Sequence, residues 1–365
     1  MNKKHQPDNL LIIIVGILLA VGLICLFSSS SVVAYRRFNS SIYYLKHQLL
    51  FGIIPGLFFL FLFSKLDYHF LKKWANFLFV FSLLLLIFVL FPFLSHSVGN
   101  SKRWIELGGL TFQPSEIFKL VLLIFLASWF EKKQFIVNRW KEIFWPIVIL
   151  ICTVSILIAL QPDIGTLGLI ISLILIFCFF AGMSLYRLFI LSSGGLLALL
   201  ALIKIAPYRL ARLTVFLNPK LDLQGIGYQL HQSLIAIGSG GWIGKGLGNA
   251  SQKFFYLPEV IGDSIFSIIS EELGFLLTAG LIILFVLLTY RGIKIAITAP
   301  DMFGQLLAGG IISLIILQTF INIMSMLGLI PLTGLPLPFI SFGGTAMVVL
   351  LAGVGIIINI SKQTK

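Results

Sequence analysis

The stretch Ile164-Gly-Thr-Leu-Gly-Leu-Ile-Ile-Ser-Leu-Ile-Leu-Ile-Phe-Cys-Phe-Phe-Ala-Gly182 runs nineteen residues without a charge. At about 1.5 Å per residue this is close to the length needed to carry an α-helix across roughly 30 Å of hydrocarbon. Apolar windows with polar flanks recur at about 9–28, 47–64, 73–93, 114–131, 143–160, 164–182, 187–205, 265–289, 304–328 and 342–360. The spacing predicts an all-α polytopic membrane protein with ten transmembrane helices, built as one domain over residues 1–365. Composition agrees: 59% of the 365 residues are hydrophobic and 11% charged, whereas soluble chains run at roughly 45–50% and about 25%. A soluble two-domain enzyme, which the length alone would suggest, is excluded. The first window is read as a retained span, since no small-residue cleavage site with a mature domain follows it.

Net charge is +13, from 26 Lys and Arg against 13 Asp and Glu. No block of five or six basic residues occurs, so nucleic acid is not the implied partner. With the N-terminus in the cytoplasm, fourteen basic residues fall inside, whereas Arg36, Arg37, Lys46, Lys102 and Arg103 make only five in the short outer loops. The positive-inside rule therefore places both termini in the cytoplasm. It also makes residues 206–264, between helices seven and eight, one large extracytoplasmic loop, rich in Gly and the natural place for chemistry. Cys25, Cys152 and Cys178 all lie in apolar runs, which gives neither a disulfide framework nor a zinc spacing.

The few acids are informative because a carboxylate at mid-bilayer costs roughly 2.5–3.5 kcal/mol even on a lenient scale. Glu116 and Lys119 stand three apart in the fourth span and can pair. Glu271 and Glu272 lie early in the eighth span, where at least one should face the bundle interior, in a position that allows a pairing with Lys119 or a loop arginine. Asp263, where the long loop becomes that span, reads either as a helix N-cap or as a general base on a hydroxyl. The loop from Gly238 to Gly248 is no Walker A motif, since no Ser or Thr follows Lys245. Its glycines either expose amides to a pyrophosphate beside Lys245, Lys253, Arg209 and Arg212, or serve tight turns in a loop packed against helices. Pro331, Pro336 and Pro338 forbid a helix before Ser341, and irregular backbone at membrane depth must line protein or a watery cavity. Gly99-Asn100-Ser101-Lys102-Arg103-Trp104-Ile105 has the cation-and-aromatic pattern of an interfacial belt.

In order along the chain these segments are Lys102-Arg103-Trp104-Ile105, Gln113-Pro114-Ser115-Glu116 with Lys119, Gln161-Pro162-Asp163-Ile164-Gly165-Thr166, Arg209 and Arg212 before Asn218-Pro219, and Tyr228-Gln229. They continue with Gln232-Ser233, Ala236 to Gly241, Gly244-Lys245-Gly246-Leu247-Gly248, Leu257-Pro258-Glu259, Asp263, Glu271-Glu272-Leu273-Gly274, and Thr333 to Gly344. Together they closely resemble the SEDS family of bacterial cell-wall proteins (shape, elongation, division and sporulation; FtsW/RodA/SpoVE-like). Gln252 to Glu259 looks more like the division and sporulation branch.

The resemblance implies a ten-helix protein of the bacterial cytoplasmic membrane, a peptidoglycan glycosyltransferase that polymerises lipid II into glycan strands. Implied partners are that undecaprenyl-pyrophosphate-linked substrate, a class B penicillin-binding protein that crosslinks the strands, other division or elongation proteins, and membrane lipid. Asp263 is implied as the catalytic carboxylate, taking the proton from the C4 hydroxyl of the acceptor N-acetylglucosamine as that oxygen attacks the donor's anomeric carbon. Glu116 and Lys119 match a helix-four pair that contributes to the site. Lys102, Arg103, Arg209, Arg212 and Lys245 are candidates to meet the departing pyrophosphate, with Glu271 and Ser341 also placed at the substrate. No cofactor is required beyond an optional divalent cation, Mg or Mn, and no protein metal site is expected. Ile261-Gly262 and Ser264 depart from the usual His-Thr and Phe around the key Asp. A lipid II flippase and an inactive scaffold that recruits the transpeptidase are the competing readings.

Overall fold

The computed structural model describes residues 6–91, 95–98, 101–107, 110–137, 139–205, 207–218, 225 and 227–364. Side chains are described for these except 95–98, 101, 102, 107, 110, 199, 201–203, 205 and 207–209. The chain begins with α1 (Asn9–Phe38), whose N-cap Asp8 accepts the Leu11 amide at 3.0 Å. Next come α2 (Tyr43–Lys65) and α3 (His69–Phe88), a three-stranded antiparallel sheet of β1 (Ser95–Val98), β2 (Ser101–Leu107) and β3 (Leu110–Phe112), and α4 (Pro114–Lys132). Then follow α5 (Trp140–Ala159), α6 (Ile164–Phe180), α7 (Leu185–Ile205), α8 (Pro207–Leu217) and α9 (Tyr228–Ser239). The chain closes with α10 (Ile265–Thr298), α11 (Met302–Met326) and α12 (Gly344–Ser361).

Among the described residues, seven of these helices are long and apolar enough to cross a membrane: α1, α2, α3, α5, α10, α11 and α12. In α11 and α12, 78% of the most apolar stretch is buried within the protein, against 22% to 39% in the other five, so these two form the centre. They are apolar all round because protein surrounds them on most sides. Around this centre α12 packs on α2, α11 on α10 and α4, α1 on α10, and α3 on α4. Outward-facing Phe58, Phe61, Phe77 and Phe81 stay exposed, as a lipid-facing surface requires.

Two helices contain a proline inside the span and handle it in the same way. A π-helical turn, Leu49–Ile53 in α2 and Trp140–Phe144 in α5, ends just before Pro55 and Pro146 respectively. A proline ring clashes with the carbonyl four residues back, and the wider turn takes up the displaced backbone.

The sheet was not expected from the sequence, where residues 99–105 read as an interfacial belt. Ile105 pairs with both Ser95 and Phe112, and Arg103 is the extra residue of a bulge, between the pairs His96–Trp104 and Ser97–Lys102. A strand this short carries too few alternations to stand out between apolar windows; pairing reveals it.

The glycine loop after α9 packs against a break in α10. Gly274, at φ 72°, interrupts that helix, and the freed carbonyls of Glu271 and Glu272 accept the amides of Lys245 and Gly246 at 3.0 Å each. The Phe275 and Leu276 amides bond back to Gly241 and Trp242 at 2.8 and 3.1 Å. Gly244 has φ +78°, and a Cβ there would lie 2.2 Å from the Glu272 carbonyl oxygen. Gly244→Ala should therefore cost at least about 3 kcal/mol and lower the melting temperature by several degrees in detergent. Gly168→Ala, a helical site with nothing within 4 Å, should be neutral or stabilising by roughly 0.5–1 kcal/mol.

Candidate active site

Asp263 sits at the mouth of α10, and its carboxylate does not cap that helix. Ser264 is the N-cap residue, and the described donor to the Asp263 carboxylate is the Gln229 side-chain amide of α9, at 3.2 and 3.3 Å from the two oxygens. The same nitrogen lies 3.0 Å from Ser264 Oγ. Asn322 of α11 donates to the Asp263 backbone carbonyl at 2.8 Å. Ser341 donates to the Gly262 carbonyl at 2.7 Å, and the Phe342 amide donates to the Ile261 carbonyl at 2.9 Å. The backbone on both sides of the carboxylate is therefore held from two other elements, while the carboxylate keeps part of its surface open.

Its carboxyl is pushed up to about 6, first by desolvation and then by the Glu259 carboxylate nearby; the Gln229 hydrogen bond and the charge of Arg212 pull the other way. Desolvation dominates even with partial exposure because the proline-rich segment closes on the group: a Cβ on Gly334 would lie 3.9 Å from Asp263 Oδ2. A carboxyl so placed is mostly ionised at neutral pH yet basic enough to take a proton.

The segment 331–343 between α11 and α12 backs this site. Leu335, Leu337, Phe339 and Ile340 are at most 2% exposed, and three prolines remove three of the segment's amide donors. The carbonyls left over are met by side chains: Asn322 donates to Leu335 O at 2.8 Å, Gln318 to Pro336 O at 2.9 Å and Arg212 to Leu332 O at 3.4 Å. Ser341 Oγ accepts the Leu337 amide at 2.8 Å, and Gln48 of α2 accepts the Gly343 amide at 3.0 Å.

The remaining residues singled out from the sequence fall into three groups. Glu116 and Lys119 are buried in α4, paired at 2.8 Å. The Lys119 ammonium also donates to Gln318 Oε1 at 2.8 Å, and thereby reaches the Asp263 support through Gln318. Arg103 is engaged at the start of α6, where it donates to the Gln161 carbonyl at 3.2 Å and to the Pro162 carbonyl, with the Asp163 carboxylate 3.7 Å away. Glu271 and Lys245 form the third group, paired at 2.6 Å.

Two open readings are decided here. Neither Glu271 nor Glu272 pairs with Lys119 or a loop arginine. Glu271 is fully buried and also accepts the Ser251 and Gln252 amides at 3.0 and 3.2 Å, whereas Glu272 meets buried Lys253 at 2.9 Å and Ser28 of α1. The glycine amides do not form an anion cradle, because those of Gly244, Lys245, Gly246 and Gly248 are already bonded to protein acceptors. The loop uses its glycines for close packing. The side chains of Lys102 and Arg209 lie outside those described, so Arg212 is the candidate cation whose charge acts on Asp263.

Gln229, Gln318 and Asn322 were given no role from sequence. Gln318 and Asn322 carried a signal: two amides four residues apart, on one face of an otherwise apolar span. Among the described residues, no three His, Cys, Asp or Glu side chains converge as a metal site needs. No step below passes through a divalent cation.

The architecture defines a multi-pass membrane protein that presents a desolvated, braced carboxylate at the end of a helix bundle. The FTSW_RODA_SPOVE family model, described as cell cycle protein, matches residues 8–365. Stage V sporulation protein E of Bacillus subtilis (strain 168) is 41% identical over 100% of this chain and 99% of its own length. A probable peptidoglycan glycosyltransferase FtsW of Trichlorobacter lovleyi is 38% identical over 100% of this chain and 95% of its own. Among solved structures, a chain from a peptidoglycan synthase complex that coordinates polymerization and crosslinking superposes with a TM-score of 0.80, at 28% identity and 98% coverage of both chains. Thermus thermophilus rod shape determining protein RodA superposes with a TM-score of 0.72, at 27% identity, covering 98% of this chain and 97% of its own. The chain belongs to the FtsW/RodA/SpoVE family and is a multi-pass protein of the bacterial cytoplasmic membrane.

Two measurements probe the site's energetics. The fold holds the Asp263 proton more tightly than the unfolded chain does, so its stability falls as pH rises from about 4 through about 6. Asp263→Asn removes that penalty: melting curves should show it more stable than the native protein by about 1–2 kcal/mol near pH 8, with the gain vanishing near pH 4. Lys119→Met strands a buried Glu116 carboxylate and should cost roughly 3–5 kcal/mol, read as a lower melting temperature.

Proposed function

We propose that this protein is a peptidoglycan glycosyltransferase that polymerises lipid II, with Asp263 as the general base. The observation that carries the reading is the Asp263 carboxyl itself, raised to about 6 and braced on both sides at the start of α10. Relatives at 38% and 34% identity bear the name probable peptidoglycan glycosyltransferase FtsW, which supports the same activity here. In this mechanism Asp263 accepts the proton of the acceptor sugar's C4 hydroxyl as that oxygen bonds to the donor's anomeric carbon. The bond from that carbon to the pyrophosphate oxygen breaks, and the undecaprenyl pyrophosphate leaves with the electron pair. Arg212, already near enough to lower the Asp263 carboxyl, is placed to offset negative charge growing on the leaving group.

Glu116, Lys119, Gln318, Asn322 and Ser341 act in this scheme as positioning residues, through the 331–343 segment. Lys245 and Glu271 hold the glycine loop against the α10 break. Arg103 fixes the start of α6, and Lys102 and Arg209 remain candidate contacts for the pyrophosphate.

Ten spans are part of the same proposal. The seven long apolar helices are joined by the apolar helices α6 and α7 and by α4, whose charges in mid-bundle are internally paired. With both termini in the cytoplasm, Asp263 then lies at the outer face, within the loop 206–264. A class B penicillin-binding protein is the proposed crosslinking partner, supported by the likeness to a chain of a peptidoglycan synthase complex.

Reconstitution with labelled lipid II and the cognate transpeptidase tests the activity. Native protein should give glycan chains, with a rate that rises through about pH 6, and Asp263→Asn should lower the rate by at least roughly 100-fold. Translocation of lipid II without chains would instead identify a flippase, and partner binding with neither activity would identify a scaffold.

A further inference from the structure

A lateral groove between α3, α4 and α5 takes no part in the site around Asp263. It is a cavity of about 250 Å³, walled by Phe79 and Leu83 of α3, Phe125 and Trp129 of α4, and Pro146 and Ile149 of α5. Its walls are preformed: the Phe79 and Phe125 rings stack with centroids 4.1 Å apart. Trp129 lies one turn before the end of α4 and Pro146 less than two turns after the start of α5, so the groove opens near the side where those two helices meet. On the ten-span orientation proposed above, on which this inference rests, that side is the cytoplasmic leaflet.

The rim at that end is cationic. Lys133 stands over the Trp129 ring at 4.8 Å and donates to the Glu142 carbonyl at 2.9 Å, which leaves further ammonium protons to bond elsewhere. Both acids at the rim are already paired, Glu131 with Lys72 at 2.9 Å and Glu142 with Arg139 at 3.2 Å. Lys73, Lys132 and Lys141 are exposed beside them. Phe135, in the turn between α4 and α5, is 92% exposed, which suits insertion at a bilayer surface. An apolar slot facing hydrocarbon, with excess positive charge at headgroup level, is complementary in shape to an acyl chain and in charge to an anionic headgroup.

We propose that this groove is a binding site for an anionic phospholipid of the inner leaflet. One acyl chain lies between α3 and α5 against Phe125 and Trp129, and the phosphate is held by Lys133 with Lys132 or Lys73.

Native mass spectrometry of the purified protein titrated with dioleoylphosphatidylglycerol or dioleoylphosphatidylcholine tests the site. The anionic lipid should bind more tightly by roughly 5-fold for each cation engaged. Lys133→Gln should reduce that preference by about 5-fold, and Thr153→Trp, which fills the groove from its exposed lip, should weaken both lipids. Equal affinity for the two lipids, or unchanged phosphatidylglycerol binding in both variants, overturns the proposal. Displacement of phosphatidylglycerol by an equimolar polyisoprenyl phosphate also overturns it, by giving the groove to an isoprenoid. Both variants should melt like the native protein and keep its glycan synthesis. A native protein that binds phosphatidylglycerol selectively yet makes no glycan would overturn the polymerase reading and leave this one standing.

Discussion

A stretch of non-helical backbone buried inside a membrane bundle must have its peptide groups satisfied by protein, and much of this structure is arranged to do that for residues 331–343. Three prolines give the segment an excess of carbonyls over amides. Each bare carbonyl would cost free energy comparable to a lost hydrogen bond. The donors come from elsewhere: Asn322 and Gln318 from α11, and Arg212 from α8. Segment, helix and carboxylate therefore form one unit, because Asn322 bonds to Leu335 O and Asp263 O at once.

This explains why a buried ion pair can matter to a carboxylate it does not touch. Lys119 is charged in an apolar interior, where Glu116 and Gln318 both serve it. The Gln318 amide is thereby oriented: its oxygen is taken by the ammonium, and its nitrogen points at Pro336 O. A point charge in α4 fixes the rotamer of an α11 side chain, which in turn fixes the backbone behind Asp263. Buried pairs are weak evidence for stability and better evidence for specifying one arrangement, and here the arrangement specified is the wall of the candidate site.

A second buried polar cluster does the same for the glycine loop. The break at Gly274 frees the carbonyls of Glu271 and Glu272, and the loop's amides take them up. Lys245 and Lys253 neutralise the two carboxylates. Cations that look available to a pyrophosphate in the sequence are thus largely committed to the fold, and the unequal roles of the two pairs of acids follow from their partners. The +13 charge accordingly serves topology and internal pairing as well as any anionic substrate.

The sequence by itself determined the class of fold, since runs of about twenty apolar residues have few stable homes outside a bilayer, and the positions of α4, α6, α7, α11 and α12 to within a few residues. It also drew attention to Asp263, to Glu116 with Lys119 and to the proline-rich segment, because charges and prolines at membrane depth are costly enough to stand out. Only the tertiary structure decided who partners whom. Glu271 finds Lys245 and Glu272 finds Lys253 rather than Lys119, Asp263 is held by Gln229 rather than by its own helix, and the glycine amides bond to protein acceptors. Those outcomes depend on contacts between residues up to 220 positions apart. Local spacing limits which face a side chain can take, and cannot say which of several polar groups the packing will bring opposite.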